Sequence, residues 1–283
     1  MSRSIKSVLL VIPTTRNEAL VSAAELTKLF LDKKIDVYAT LKISGAQDYT
    51  DKSKVDLALV LGGDGTMLRA AELFRGKQLP ILGINLGHVG FLAEIERPSL
   101  GEIVQVISTG SFEVEERMSL SYKLIRAGSE IESGWALNEV TIERNDHQMI
   151  DLFVQIDHRP LSRWWCDAVI CATPTGSTAY AYSAGGPVVW PEVDALVLLP
   201  LAAHALFSRP MVVDAKSEIV IDLASESADL NADGIRRIKL QTNDQIILTS
   251  DKEDVLLAHI KPATFTDRLV AKFKLPVEGW RGE

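Results

Sequence analysis

Residues 60–69 read Val-Leu-Gly-Gly-Asp-Gly-Thr-Met-Leu-Arg and separate two apolar patterns of different period. The largely apolar run before them, residues 56–61, is typical of a buried parallel strand. After them Met67, Ala71 and Phe74 recur at helical spacing. The stretch therefore predicts a strand-to-helix turn. Its glycines let a bulky anion approach the backbone, and the start of the helix offers unpaired N–H groups, so the turn favours phosphate.

Asp64 is the carboxylate inside this turn. A carboxylate repels phosphate, so its presence needs another reason. It could accept a proton in a reaction, or it could hold a cation that neutralises the phosphate. The alternative is a tight turn in which Asp64 is only the N-cap of the following helix. The motif by itself leaves both interpretations open.

The composition describes a globular protein of about two domains, with 283 residues of which 47% are hydrophobic and 24% charged. No apolar run approaches the roughly 20 residues that span a bilayer, and the N-terminus does not resemble a cleavable signal, so we expect a cytoplasmic protein without a membrane partner. The net charge of −8 argues against nucleic-acid binding. It also requires that an anionic substrate meet local positive groups or a metal ion. Cys166 and Cys171 have neither zinc nor redox spacing and are predicted to be reduced core residues.

Strands and helices alternate through about the first 110 residues, which predicts an α/β domain with a parallel sheet and right-handed crossovers. The patterns place strands at 6–12, 35–39, 55–61 and 79–84, a loop at 45–54, and helices at 17–34, from the glycine turn to near Gly76, and at 100–109. A second glycine-bearing loop, residues 85–91, follows the strand at 79–84. Both loops leave carboxyl ends of strands, where open parallel sheets bind ligands.

A β-rich, sandwich-like domain follows, because short runs with period-two alternation occur at 120–126, 136–143, 150–156, 218–223 and 245–249. The predicted domains are 1–110, which is α/β and to which 263–283 returns, and 111–262, which is β-rich. Residues 166–187 combine a buried strand, a Thr/Pro/Gly/Ser turn and a short helix. The hydroxyl and N–H groups of this segment could bind a ribose or phosphate, or they could form a Ser/Thr-rich cap with no ligand.

Four segments together resemble the NAD kinase family. They are Gly62-Gly63-Asp64-Gly65-Thr66, the loop 85–91, Leu137-Asn138-Glu139-Val140, and residues 173–186, and they occur in the family's order. His88-Val89-Gly90 and the ending Gly279-Trp280-Arg281-Gly282 resemble the actinobacterial branch.

Two alternatives accompany this resemblance. The first motif is shared with diacylglycerol and sphingosine kinases, but a lipid kinase would want an exposed apolar cleft or a membrane-facing helix, and the sequence shows neither. A non-catalytic dinucleotide sensor would be expected to lack the carboxylate of the turn, and Asp64 is present.

The resemblance implies phosphoryl transfer from ATP, or from polyphosphate, to the 2′-hydroxyl of the adenosine ribose of NAD, which gives NADP. A divalent ion such as Mg²⁺ would bridge the phosphates, and the chain would form a homodimer or homotetramer. Asp64 would be the general base. Gly63, Gly65 and Thr66 would lie along the phosphates. Arg69, one turn into the helix, would be a further phosphate contact.

The resemblance also implies the nucleoside contacts. Asn138 would hydrogen-bond the adenine, and Glu139 would lie near the ribose and metal. Phe91 would pack near the nicotinamide, and Asp167 would reach the nicotinamide or its ribose. The adenosine side would be lined by Thr178, Ala179, Tyr180 and Ser183.

Two positions depart from the pattern of the family and so qualify these implied contacts. Trp165 stands where the family often has a basic residue two positions before the Asp. Ile235 follows Asp233-Gly234 where many members carry Gln. Separately, the adjacent Arg236-Arg237 pair is predicted to be a solvated turn, with a phosphate contact as the alternative.

Overall fold

A computed structural model describes residues 4–13, 17–50, 54–86, 90–94, 98–261 and 263–277. Gly87, His88, Val89 and the ending 279–282, on which parts of the sequence argument rest, lie outside the described residues. The chain divides into two compact units, Met1–Glu116 with Val255–Glu283, and Arg117–Asp254.

The helices and strands follow one another along the chain in three stretches. The first contains β1 (Ser7–Val11), α1 (Asn17–Asp32), β2 (Asp36–Ala39), β3 (Gln47–Asp48), β4 (Leu57–Leu61), α2 (Asp64–Leu73), β5 (Ile81–Ile84), α3 (Leu100–Thr109) and β6 (Glu113–Arg117). The second contains β7 (Leu120–Arg126), β8 (Ser129–Ala136), β9 (Glu139–Glu143), β10 (Ile150–Ile156), β11 (Arg159–Cys166), β12 (Ala168–Ala172), a 3₁₀ turn (Gly176–Thr178), α4 (Tyr180–Ser183), β13 (Ala195–Leu201), β14 (Met211–Asp214), β15 (Ile219–Leu223), β16 (Ser227–Ala232), β17 (Arg236–Gln241) and β18 (Gln245–Ser250). The third contains β19 (Val255–His259) and α5 (Phe265–Phe273).

The first unit is an α/β layer built on a sheet with the order β3-β2-β1-β4-β5-β19-β6. Its neighbouring strands from β3 through β19 run parallel. Strands β1, β4 and β5 are buried along their whole length, which explains their continuous apolar sequences. The glycine turn leaves the carboxyl end of β4, beside β5.

The second unit is a β-sandwich of two antiparallel sheets. Their orders are β11-β10-β15-β18-β7-β8 and β14-β13-β12-β9-β16-β17. One hydrophobic cluster joins them, since Leu152 and Ile221 of the first sheet share it with Val140 and Val169 of the second. The predicted fold class, an α/β domain with a parallel sheet followed by a β-rich domain, is confirmed. Cys166 and Cys171 are free and buried in this unit, as predicted.

The two ends of the second unit are hydrogen-bonded to each other. The Asp251 N–H donates to the Ser119 carbonyl at 2.8 Å. The Ser119 hydroxyl donates to the Glu253 carbonyl at 2.7 Å, across 134 residues of sequence.

Several element boundaries differ from the sequence predictions. The strand predicted at 136–143 is broken, because β8 ends at Ala136 and β9 begins at Glu139. Helix α1 ends at Asp32, before Lys34, whose φ of 59° is left-handed. Helix α2 ends at Leu73 and does not reach Gly76, and the predicted loop at 45–54 contains β3. Among the described residues, no helix combines the length and apolar character needed to cross a membrane.

Candidate active site

The glycine turn joins β4 to α2, and its geometry decides between the two interpretations of Asp64. Gly63 is the N-cap of α2, with an extended backbone at φ −91° and ψ −170°, and its carbonyl accepts the Thr66 N–H at 2.8 Å. Asp64 is the first residue of the helix. The interpretation of Asp64 as the N-cap is therefore wrong, and its side chain is available for other contacts.

The Asp64 carboxylate is held by the second loop. Its Oδ2 accepts the Phe91 N–H at 3.0 Å, and its Oδ1 accepts the Leu92 N–H at 3.1 Å. Gly90 permits this approach, since a β-carbon at that position would overlap the carboxylate. The two glycine-bearing loops thus meet at Asp64. Each carboxylate oxygen has a further lone pair, so the group is oriented and can still accept a proton.

The predicted phosphate contacts lie on the accessible side of the turn. Gly65 and Arg69 are exposed, and Gly63, Asp64 and Thr66 are half-buried. Phe91 differs, because its ring is buried and packs against α5, with ring centroids 6.0 Å from Phe265 and 5.8 Å from Phe273. Its contact with a nicotinamide stays a prediction.

In the second unit, Asp233 fixes the backbone of residues 137–139. Its carboxylate accepts the N–H groups of Leu137 at 2.7 Å, Asn138 at 2.7 Å and Glu139 at 3.2 Å. These bonds withdraw the amides of 137–139 from the sheet, which explains why the predicted strand breaks there. Asp233 has a φ of 53° and Gly234 a φ of 65°, so an Asp-Gly turn shapes this contact. The Asp-Gly dipeptide is the sequence signal for this turn, but the sequence does not predict that the Asp233 carboxylate binds the N–H groups of residues 137–139.

Glu139 faces a cavity of about 250 Å³ in this unit. The cavity is lined by Glu139, Thr141, Glu143, Tyr180, Asn231, Asp233, Gly234 and Arg237. Glu139 Oε2 is sealed from solvent and has no hydrogen-bond partner among the described residues. Burial, then the charge of Asp233, and then that of Glu143 raise the pKa of Glu139 to about 8, although a backbone hydrogen bond from Tyr180 acts in the opposite direction. The carboxyl group is therefore largely protonated at neutral pH and can donate a hydrogen bond to a ligand.

The walls of this cavity are held by polar contacts that sequence reasoning did not identify. Glu143 accepts the Thr141 hydroxyl at 2.7 Å and the Asn231 amide at 3.0 Å. Arg237 donates from Nε to Asp229 at 2.9 Å. The Thr141 contact lies within β9, whereas the Asn231 contact crosses from β16 to β9 and the Arg237 contact joins β17 to β16, so these last two could not be inferred from local sequence.

The prediction of a turn at Arg236-Arg237 is wrong, because these residues begin β17, although the Arg237 side chain is 63% exposed and therefore solvated as predicted. Arg236 lies over Trp135, with its guanidinium carbon 5.2 Å from the ring centroid, and donates to the Trp135 carbonyl. Arg237 is paired with buried Asp229. Arg237 is thus held by the neighbouring strand β16, and Arg236 by Trp135 of β8, which belongs to the other sheet of the sandwich.

The Thr/Pro/Gly/Ser turn is tied to residues 137 and 138. The Thr173 hydroxyl donates to the Leu137 carbonyl at 2.6 Å, and its N–H donates to the Asn138 carbonyl at 2.8 Å. A β-carbon on Gly176 would overlap that same Asn138 carbonyl. The Ser177 hydroxyl is also buried and donates to the Pro174 carbonyl at 2.6 Å. The hydroxyls of Thr173 and Ser177 are therefore structural.

The other predicted residues of this segment are more accessible. Thr178 and Ala179 are half-buried, and Tyr180 and Ser183 are exposed. Tyr180 lines the cavity with Glu139, so the structure brings these two predicted residues together. Asn138, which precedes Glu139 in sequence, is buried, and its backbone N–H is held by Asp233.

Asp167 is paired with a positive side chain. Arg144 Nε lies 3.2 Å from Asp167 Oδ1, and the Arg144 N–H donates to the Asp167 carbonyl at 3.0 Å. Trp165, which stands at the position where a basic residue was expected from the resemblance, is exposed. The positive charge beside Asp167 thus comes from Arg144, which directly follows β9, and not from position 165.

Comparison with known proteins gives one family for both units. The model of the ATP-NAD kinase N-terminal domain matches residues 8–112, and that of the ATP-NAD kinase C-terminal domain matches residues 137–260. A curated relative, the NAD kinase of Corynebacterium diphtheriae, is 44% identical over 296 residues, which cover 98% of this chain and 93% of the relative.

Two solved structures have the same fold. Yeast NADH kinase complexed with NADH has a TM-score of 0.86 and 21% sequence identity, and the match covers 99% of this chain and 91% of that chain. An NAD kinase from Archaeoglobus fulgidus in complex with ATP has a TM-score of 0.75 and 25% identity, covering 95% of this chain and 98% of that chain.

Proposed function

Because this chain belongs to the NAD kinase family, we propose that it transfers the terminal phosphoryl group of ATP to the 2′-hydroxyl of the adenosine ribose of NAD. Its relatives' activity supports this reaction over that of a lipid kinase or a non-catalytic sensor. The observation that carries the proposal is the Asp64 carboxylate, which two backbone N–H groups orient at the start of α2.

Asp64 is the general base in this proposal. As the ribose oxygen attacks the terminal phosphorus, its hydroxyl proton passes to the Asp64 carboxylate. The bond between that phosphorus and the bridging oxygen breaks, and ADP leaves. The hydrogen bonds from Phe91 and Leu92 fix the direction of the carboxylate before the substrate arrives, which is the contribution expected of a positioned base.

The start of α2 receives the phosphates of the donor. Gly63 and Gly65 carry no side chain that would block the backbone, and a β-carbon at either position would meet no atom within 4 Å, so this surface is open. Thr66 is half-buried and Arg69 exposed on the same turn and helix. The bound ATP of the Archaeoglobus fulgidus relative supports ATP as the donor. Polyphosphate as a second donor stays a prediction.

A divalent ion, Mg²⁺ by preference, would neutralise the donor phosphates. Mg²⁺ keeps several waters and takes one or two carboxylates together with substrate phosphates. Asp64 fits that donor set, because both of its oxygens retain lone pairs after accepting the loop N–H groups. The ion would supply charge neutralisation of the transferring group.

The cavity in the second unit receives the adenosine of NAD. Glu139 lines this cavity together with Tyr180, and its carboxyl group is proposed to hydrogen-bond a ribose hydroxyl. Asn138 contacts the adenine in this proposal, and Thr178, Ala179 and Ser183 continue the surface. Asp167, paired with Arg144, is proposed to contact the nicotinamide side.

The test is NADP formation by purified wild-type protein and Asp64→Asn with NAD, ATP and magnesium. A positioned general base contributes roughly 10²- to 10⁴-fold, so we expect kcat to fall by about that factor while NAD binding, measured by calorimetry, is retained. Asp32→Asn, an exposed carboxylate at the end of α1, is the matched control and should keep wild-type turnover. Turnover of Asp64→Asn within about threefold of wild type would show that Asp64 is not the base.

Assembly as a homodimer or homotetramer and a cytoplasmic location remain predictions from the sequence. Light scattering of the purified protein tests the first, since a monomer mass would contradict it. Fractionation of cells that produce the protein tests the second.

A further inference from the structure

The loop that holds Asp64 is itself held from its other side. In residues 90–94 the N–H groups of Phe91 and Leu92 point to the Asp64 carboxylate. The Phe91 and Ala93 residues are buried, so their carbonyl groups need donors inside the protein. Both carbonyls accept from Arg268 Nη1, at 3.4 Å from Phe91 and 2.7 Å from Ala93.

Arg268 comes from the C-terminal helix α5 and is only 2% exposed. Its Nη2 lies 3.0 Å from His259 Nδ1. A guanidinium group only donates, so Nδ1 is the acceptor. The other ring nitrogen of His259, Nε2, lies 3.1 Å from Glu115 Oε2, and Glu94 Oε1 lies 3.7 Å from Nδ1. The guanidinium is therefore fixed at both ends, on the loop carbonyls and on β19.

Helix α5 and the loop also share an apolar contact. Phe265 and Phe273, three residues before and five residues after Arg268, pack their rings against Phe91. At the far end of the loop the Glu94 N–H donates to the Gly83 carbonyl at 2.9 Å, and Glu94 Oε1 accepts the Ile260 N–H at 2.7 Å. The backbone between Gly90 and Glu94 is thus specified by contacts on several sides.

We propose that Arg268 is a positioning residue for phosphoryl transfer, because by holding the carbonyls of Phe91 and Ala93 it aims the Phe91 and Leu92 N–H groups at Asp64. Arg268 acts through the loop and does not touch the substrate. The inference rests on the proposed role of Asp64 as the base. It assigns to the C-terminal helix a part in the chemistry, in addition to its packing.

The alternative is that Arg268 only stabilises the fold, since removal of one partner from a buried polar network is costly in any protein. The two roles make different predictions for kinetics. A positioning role lowers kcat and leaves the KM for NAD nearly unchanged, because ground-state binding is intact. A purely structural role lowers thermal stability and the yield of folded enzyme, and leaves kcat per folded molecule unchanged.

The experiment compares wild type, Arg268→Lys and Thr264→Ala. Lysine keeps the charge but, as a single ammonium, cannot hold two carbonyls and His259 in the same fork geometry. Thr264→Ala removes the capping box of the same helix and so lowers the melting temperature without touching the loop. We expect kcat of Arg268→Lys to fall by about 10- to 100-fold with KM for NAD within about threefold, and Thr264→Ala to keep its kcat.

Hydrogen exchange of peptides that cover residues 90–94 gives a second readout. The Phe91 and Leu92 amides should exchange at least about tenfold faster in Arg268→Lys than in wild type or Thr264→Ala. If Arg268→Lys does not fold, His259→Phe carries the test, because phenylalanine keeps a ring at this position and has no nitrogen to accept from Arg268. It frees one end of the guanidinium and should lower kcat by about three- to tenfold with KM unchanged.

A cycle with Asp64→Asn separates the failure of this inference from failure of the proposed function. If Arg268 acts through Asp64, then Arg268→Lys causes no further loss in the Asp64→Asn background. Wild-type turnover of Asp64→Asn would overturn the proposed base, whatever Arg268 does. If Asp64→Asn is inactive but the Arg268 or His259 variant keeps a kcat within about threefold of wild type, or if the Arg268 effect is undiminished in the double variant, the positioning role is refuted.

Discussion

The free energy of unfolding of Glu139→Gln, measured relative to that of wild type, should increase as the pH rises. In the folded protein the pKa of Glu139 is raised from 4.5 to about 8, first by burial and then by the charges of Asp233 and Glu143. Between these two pH values the folded chain binds a proton that the unfolded chain has lost. The free energy of unfolding of the wild type therefore decreases as pH rises through this interval and levels off above pH about 8. Glutamine has nearly the same shape and does not titrate.

The size of this effect follows from the two pKa values. One pKa unit corresponds to about 1.4 kcal/mol. Applied to a carboxyl group that titrates at 4.5 unfolded and at about 8 folded, linkage gives a loss of about 3 kcal/mol between pH 5.5 and 8.5. We expect the stability of Glu139→Gln relative to wild type to increase by about that amount over the same range.

The assay is urea unfolding of both proteins at pH 5.5, 7.0 and 8.5, without ligand. The matched control is Glu132→Gln, an exposed carboxylate on β8, whose difference from wild type should not change with pH. Comparison of variants cancels the titration of the other groups. A difference between Glu139→Gln and wild type that is constant across this range would show that Glu139 is ionised in the folded protein at neutral pH, and the argument from its burial would fail.

Three further outcomes are expected. Gly90→Ala should lower kcat by about 10-fold or more and reduce the free energy of unfolding by roughly 1–3 kcal/mol, because its β-carbon would overlap the Asp64 carboxylate. Unchanged kinetics and an unchanged melting temperature would contradict this. Asn138→Ala should raise the KM for NAD with a smaller change in kcat, whereas an unmoved KM with a lower melting temperature would make Asn138 structural. NADP formation should require a divalent ion, and GTP, CTP and polyphosphate should replace ATP with modest loss, because the sequence shows no second nucleoside-reading segment. Full activity in excess chelator would refute the metal requirement, and strict dependence on ATP would reveal an adenine site for the donor.

Local signals explain where the sequence predicted the structure correctly. The helix α3 was predicted at its observed bounds, 100–109, since Ser99 caps its start and Gly110 ends it in the left-handed conformation. Strands β7 and β10 also match their predicted bounds, because alternation with period two is a property of consecutive residues. The glycine turn was also predictable, because its signal lies in the consecutive residues 62–66.

Contacts between distant residues explain what the sequence did not predict. Asp64 was identified as a candidate for chemistry, but its hydrogen bonds go to amides 27 and 28 residues away. Asp233 reaches amides 94 to 96 residues away, and this contact breaks a strand that looked continuous. Arg237 was predicted in a turn, and its partner, Asp229, is recognisable only after β16 and β17 pair.

The hydrogen bonds between Ser119 and the Asp251–Glu253 segment have a consequence for chain entropy. The first unit is completed by β19 and α5, which follow the whole second unit in sequence. An unstructured loop of 134 residues would cost about 4 kcal/mol to close. The second unit brings its own ends together through Ser119, so once it has folded, the connection between β6 and β19 has the entropy of a short loop. The first unit can then place β19 beside β6 almost as if these two strands were neighbours in sequence.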